Sequence, residues 1–136
     1  MDERLNSAPC GYMSITHEGI VTEVNQTFLY RMGYLESDLL YQHIETIMSK
    51  ANKLIFREEF YPSIHLNGQV EELFLSLKDS RGQGIPYLMN AKRYEKDGIE
   101  VIDCILMQMS KRINYEQELM SANKKIEAAY IEKDQA

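Results

Sequence analysis

A chain of 136 residues, 44% hydrophobic and 26% charged, is long enough for one packed core and has the composition of an ordinary globular protein. Its net charge of −6 argues against nucleic acid as a partner, because phosphate binding needs a basic patch; Lys92, Arg93 and Lys96, the densest basic group, fit a solvated hairpin end. No apolar run approaches the ~20 residues that span a bilayer, and the acidic, polar start MDERLNSAPCGY is not a signal peptide, so the expectation is a cytoplasmic protein with no membrane partner.

The first element is a hairpin. Met13 and Ile15 alternate with polar neighbours, HEG supplies a tight turn, and Ile20, Val21 and Val24 resume the strand. Asn25 then stands as a helix N-cap before QTFLYRM, with Phe28, Leu29 and Met32 on one face and Gly33 as the stop. ESDLLYQHIETIM predicts one or two short helical turns. A longer helix is predicted from the Ser49 cap, with Ala51, Leu54, Ile55, Glu58 and Tyr61 at helical spacing and Pro62 kinking or ending it.

After Asn67-Gly68 the period switches to two. Leu73, Leu75 and Leu77 share one face of a strand, with Glu72, Phe74 and Ser76 on the other. SRGQG turns the chain into IPYLMNAKRY, and EKDG turns it again into IEVIDCILMQM, which makes an antiparallel meander. In the last strand Val101, Ile105, Met107 and Met109 fall on one side, and Ile102, Cys104 and Leu106 on the other. Apolar residues on both sides imply that both are covered. The short helices can cover one; the other needs the N-terminal segment, a C-terminal helix or a second subunit. Helices segregated from an antiparallel sheet make the fold class α+β.

With these elements in this order the chain resembles a PAS domain, the small sensory module of bacterial signalling proteins. The likeness rests on GYMSITHEGIVTEVNQTFLYRMGY, on SDLL with the short helices after it, on EELFLSLKDSRGQGIPYLMNAKRY, and on MSKRINYEQELMSANKKIEAA as an exit helix. It implies a five-stranded antiparallel sheet with short helices on one face and a C-terminal signalling helix. It divides the chain into an N-terminal cap segment (1–10), a sensory domain (11–109) and a helix or linker (110–136) joined to an output domain. IPYLMNA together with RINYEQEL is similar to PAS domains preceding serine/threonine phosphatase outputs of the general stress response type; similar sensors precede diguanylate cyclases and histidine kinases. One departure stands out. Where the family commonly ends its last strand in Asp-hydrophobic-Thr, this chain has Gln108-Met109-Ser110, so an Asp-based tie to the exit helix is not available.

The family binds haem, flavins, small acids or nothing, so each cofactor must be argued from residues. Cys10 and Cys104 share no close spacing and read as free thiols. Neither sits on a central helix, which excludes flavin-thiol photochemistry. His17, His43 and His65 read as surface or capping histidines, which counts against haem, and no two have zinc-ligand spacing. There is no Gly-rich phosphate loop, GxSxG, HExxH or kinase signature, and the pairs Glu58-Glu59 and Glu71-Glu72 are sequence neighbours that point apart, so no catalytic residue is assigned. What remains is an interior between the sheet and the longest helix. Met13, Met48, Leu54, Leu75, Met89 and Leu106 are the candidates to line it, either around a small apolar ligand or as plain core.

In the closing segment Tyr115, Leu119, Ala122, Ile126 and Ala129 follow the a/d spacing of a coiled coil, with charges of both signs around them. The expectation is a homodimer through this helix, with a helix folded back on its own sheet as the alternative. The functional expectation is a sensor of a small ligand or protein partner that acts on a covalently linked effector, foremost a PP2C-type phosphatase. The alternative is a ligand-free protein-interaction and dimerisation module preceding a diguanylate cyclase or histidine kinase output.

Overall fold

The computed structural model describes residues 1–109 and 119–126. Its centre is one five-stranded antiparallel sheet: β1 (Gly11–Ile15), β2 (Val21–Val24), β3 (Gln69–Lys78), β4 (Gly84–Lys96) and β5 (Ile99–Gln108), in the spatial order β2-β1-β5-β4-β3. The hairpin and the meander are local pairings. The fold is closed by the long-range pairing of β1 with β5, which sets Gly11 opposite Leu106 and Ile15 opposite Ile102.

Between β2 and β3 run α2 (Gln26–Met32), α3 (Glu36–Leu39), a 3-10 turn (Ile44–Ile47), and a continuous helical run of α4 (Lys50–Ile55), a π turn (Phe56–Phe60) and α5 (Tyr61–Asn67). A four-residue helix, α1 (Glu3–Asn6), precedes the sheet. The expected stops are in place. Asn25 caps α2, its side chain accepting from Phe28 N, and Gly33 ends that helix in the left-handed region at φ 75°. The Ser49 side chain accepts from Asn52 N and caps α4.

Pro62 neither ends nor breaks the long helix, which continues to Asn67. Proline has no N–H and crowds the carbonyl one turn earlier, and the widened π turn immediately before it lets the backbone pass. The buried stripe is therefore Phe56, Phe60 and Ile64, four residues apart, instead of the Leu54–Ile55 face read from spacing. Phe56 and Phe60 stack with centroids 4.3 Å apart, and Tyr61 meets both edge-on.

Alternation along the meander holds, with one interruption. Leu73, Leu75 and Leu77 are buried, but so is Val70, three residues before Leu73. A β-bulge between Val70 and Leu73 absorbs the odd residue, with Glu72 at φ 54° and its N–H donating to Asn90 Oδ1 at 2.8 Å. The outer edge of β3 is closed farther along, where Ser76 N donates to Asn52 Oδ1 at 3.0 Å.

Candidate functional site

The core lies between the inner sheet face and the helices. Met13, Met48, Leu75, Met89 and Leu106 all sit in it, packed with Phe28, Phe56 and Phe60. Leu54, the sixth residue expected there, is 57% exposed. The helical face that turns inward carries Phe56, Phe60 and Ile64, so Leu54 points to solvent and does not line this interior.

Within this interior one polar atom is out of place. The Tyr87 side chain is fully buried on β4, its ring 5.7 Å from that of Phe28, and its hydroxyl has no hydrogen-bond partner among the described residues. Burial pushes its phenol up to about 12, opposed in part by the charge of Arg31. Nothing in the sequence distinguishes Tyr87 from the chain's other tyrosines; only the packing of β4 against α2 sets it apart.

Near the hairpin tip a second polar group assembles. His43 Nδ1 accepts from Glu45 N at 3.1 Å and caps the 3-10 turn. Glu45 in turn receives two hydrogen bonds from Arg57, at 2.7 and 3.2 Å, which hold its carboxyl below the usual range against the opposing effect of burial. Tyr61, pushed up to about 12 by burial and then by the Glu45 charge, brings its hydroxyl to Gly19 beside the His43 ring. These contacts staple the hairpin tip to the helical layer.

The third feature is Asn25, fully buried and fully used. Its Oδ1 accepts from Tyr12 N at 2.9 Å and Phe28 N at 3.1 Å, and its Nδ2 donates to Leu5 O and Cys10 O, both at 3.0 Å. One carboxamide thus joins the N-terminal segment, β1 and α2. The sequence identifies Asn25 as a cap; it says nothing of the other three partners.

On the outer sheet face lies a concavity of about 570 Å³ lined by Leu5, Tyr12, Val70, Glu72, Asn90 and Asp103, among others. The Tyr12 hydroxyl donates to Asp103 Oδ1 at 3.1 Å, and burial, followed by the Asp103 charge, pushes this phenol well above its usual range. Lys92 lies over the Tyr94 ring, 5.3 Å from its centroid. No cluster of three or more His, Cys, Asp or Glu able to hold a metal occurs among the described residues. Cys104 is buried with its thiol pushed up by desolvation, which leaves it unreactive.

Solved structures match this architecture closely. A PAS domain from Colwellia psychrerythraea superimposes with a TM-score of 0.71 at 9% identity, covering 80% of this chain and 93% of its own. One from Desulfitobacterium hafniense gives 0.66 at 21% identity, covering 79% and 99%. The fold is that of a PAS domain. No protein-family model matches the chain. A curated relative, phosphoserine phosphatase RsbP of Bacillus subtilis, is 35% identical over 122 residues, 90% of this chain; the chain spans 30% of that relative's length.

Beyond the PAS core, residues 119–126 are helical. Leu119 and Ile126 are 45% and 64% exposed, and Ala122 between them is exposed too. Tyr115 and Ala129, the other two residues of the expected seam, lie outside the described residues, as does Ser110. Among the described residues no helix is long and apolar enough to cross a membrane.

Proposed function

We propose that this chain is the regulatory sensor of a signalling protein and acts on a covalently linked PP2C-type serine/threonine phosphatase. The observation that carries this reading is the 35% identity to a phosphoserine phosphatase over 90% of the chain. The PAS fold at 9–21% identity to solved domains supports a sensory scaffold and is neutral as to output.

In this reading β5 carries the response, because it joins the sheet centre to the exit segment. The residue just after it, Met109, donates from its N–H to Pro86 O at 2.9 Å, which ties the strand end to β4. A signal that favours one packing of the sheet shifts the exit helices of two copies between two arrangements, and it can do so only through its differential affinity for them. The exposed Leu119, Ala122 and Ile126 support pairing with a second helix. The signal enters as a protein partner or as a small ligand. The interior filled by Met13, Met48, Leu75, Met89 and Leu106 favours a partner, whereas the Tyr87 hydroxyl, without a partner among the described residues, favours a ligand carrying one polar group.

The test is a chimera in which residues 1–136 replace the aligned segment of the Bacillus phosphatase, assayed on a phosphoserine substrate. Activity at the parent's level is expected, with a chimera carrying the Colwellia PAS domain remaining at the level of the phosphatase truncated of its aligned segment. A chimera with this chain that does no better than the truncation overturns the reading.

A further inference from the structure

One cap in the helical layer is made by a histidine, the side chain that changes charge near neutrality. His43 Nδ1 accepts from Glu45 N at 3.1 Å at the start of the 3-10 turn, a place commonly filled by an Asn, Asp or Ser oxygen. A ring nitrogen that accepts carries no hydrogen, so the single proton of the neutral imidazole sits on Nε2. A second proton can bind only at Nδ1, the atom the cap already uses. The side chain is 32% exposed, so solvent protons reach it. Protonation turns the acceptor into a donor and sets it against another donor.

The strip around His43 is built to respond. Residues 41–44 cover the outer edge of β2: Tyr41 N donates to Val21 O at 2.7 Å, Val21 N to Gln42 O at 2.9 Å and Ile44 N to Gly19 O at 2.8 Å. Tyr41 holds φ at 64°, a left-handed conformation that costs energy in a residue with a side chain. A second partner for the charged ring is close by, since Glu45 Oε2 lies 3.5 Å from Nδ1. Arg57 Nη2 donates to that same oxygen at 3.2 Å, so the two cations compete for it. The other groups around the ring come from three elements. Tyr61 of α5 places its hydroxyl beside Gly19 with His43 Nε2, His17 and Glu18 stand at the hairpin tip, and Lys53 of α4 acts on Glu45.

We propose that His43 is a proton-operated latch on the outer edge of β2. Neutral, it caps the turn and holds the strip. Protonated, it exchanges the Glu45 N–H for the Glu45 carboxylate, weakens the hold of Arg57 there, and loosens residues 41–44 from β2. The spatial order β2-β1-β5 puts one strand between this edge and the strand that leads to the exit segment. The two states of the latch are therefore an element that acidification biases. The latch stands independently of the phosphatase reading, since it concerns only contacts within this chain.

Amide hydrogen exchange, corrected for the intrinsic effect of pH, reads the latch at Tyr41, Ile44 and Glu45. Their protection should fall about tenfold between about pH 7 and pH 5, with β1 and β5 unchanged. The fall should share its midpoint with the NMR resonances of the His43 ring. His43→Asn keeps an accepting oxygen at the cap and does not titrate, so its protection should stay level across the range. His17→Gln should keep the wild-type fall. Level protection in the wild type overturns the proposal, as does an equal fall in His43→Asn, which would place the response on Glu45. If His43→Asn does not fold, the wild-type midpoints decide: amides that do not follow the His43 ring overturn the proposal, and amides that follow it sustain it.

Discussion

Tyr12 and Asn25, thirteen residues apart, exchange two hydrogen bonds as strand partners do, but one of them is made by a side chain. Asn25 N donates to Tyr12 O at 2.9 Å, and Tyr12 N donates to Asn25 Oδ1 at the same distance. The carboxamide stands in for a backbone carbonyl where β2 has already turned into α2. Asn25→Ala leaves two buried N–H groups without an acceptor and also removes the helix cap. The expected loss is about 3 kcal/mol, read from urea unfolding. A loss no larger than that of an ordinary exposed cap would show that water enters and satisfies the site.

Tyr87→Phe removes one buried hydroxyl and keeps the ring that packs against Phe28. Because the hydroxyl has no hydrogen-bond partner among the described residues, the variant should be as stable as the parent or more stable by up to ~1 kcal/mol. A clear destabilisation, checked by thermal unfolding beside native mass spectrometry of the purified chain, would mean that the hydroxyl holds a bound molecule.

Gly19 sits at the hairpin tip with φ 93°, and a Cβ there would lie 2.5 Å from the Tyr61 hydroxyl and 2.7 Å from His43 Nε2. Gly19→Ala combines backbone strain with the loss of the staple between hairpin and helices. A destabilisation of about 2 kcal/mol is expected from denaturant midpoints. Near-neutral behaviour would show that the tip swings clear of the helical layer at little cost.

Stability should fall at both ends of the pH range, for opposite reasons. Burial raises Tyr61 and Tyr87 to about 12 and Tyr12 further, whereas in the unfolded chain phenols ionise near ~10. Above that pH the unfolded state releases protons that the folded state keeps. The contribution is complete below pH ~10 and is lost as pH rises through the folded values. Glu45 acts in the other sense. Its depressed carboxyl contributes stability above the unfolded value of ~4, and that contribution disappears as pH falls through the folded one. Arg57→Gln removes the main cause of the depression, so acid unfolding, followed by circular dichroism, should begin at higher pH. An unmoved acid limb would place the effect of Arg57 elsewhere.

Ile126→Asp tests the pairing of exit helices. If Ile126 is covered by a second copy, a charge in the seam should weaken the dimer by roughly 2–4 kcal/mol, visible in sedimentation as dissociation at concentrations where the parent stays dimeric, on the order of tens of micromolar. An unchanged sedimentation profile, or a monomeric parent, ends the coiled-coil proposal.

Much of the fold could be read directly from residues, because the signals concerned are local. Asn25, Gly33 and Ser49 mark helix ends through backbone chemistry that acts within one turn. Leu73, Leu75 and Leu77 show their shared face through a period that neighbours enforce. The interior position of five of the six candidate lining residues follows from the same patterns. Leu54 did not follow, because Leu54 and Phe56 are both apolar and only a helical phase separates them. That phase is set by how the run packs on the sheet and passes Pro62 through a π turn, which no local pattern encodes.

The sequence by itself therefore determined the five strands, the stops and caps at Asn25, Gly33 and Ser49, and that the sheet is antiparallel with helices on one side, whereas neither α1 nor the continuation of the long helix past Pro62 was legible in it. Only the tertiary structure decided that β1 lies beside β5, that Asn25 joins three segments, and that Tyr87 buries a hydroxyl without a hydrogen-bond partner among the described residues. The physical reason is range. Caps, turns and alternation are fixed by interactions over a few residues. The partners of a buried amide or phenol are chosen by groups far along the chain, brought together only when the sheet closes.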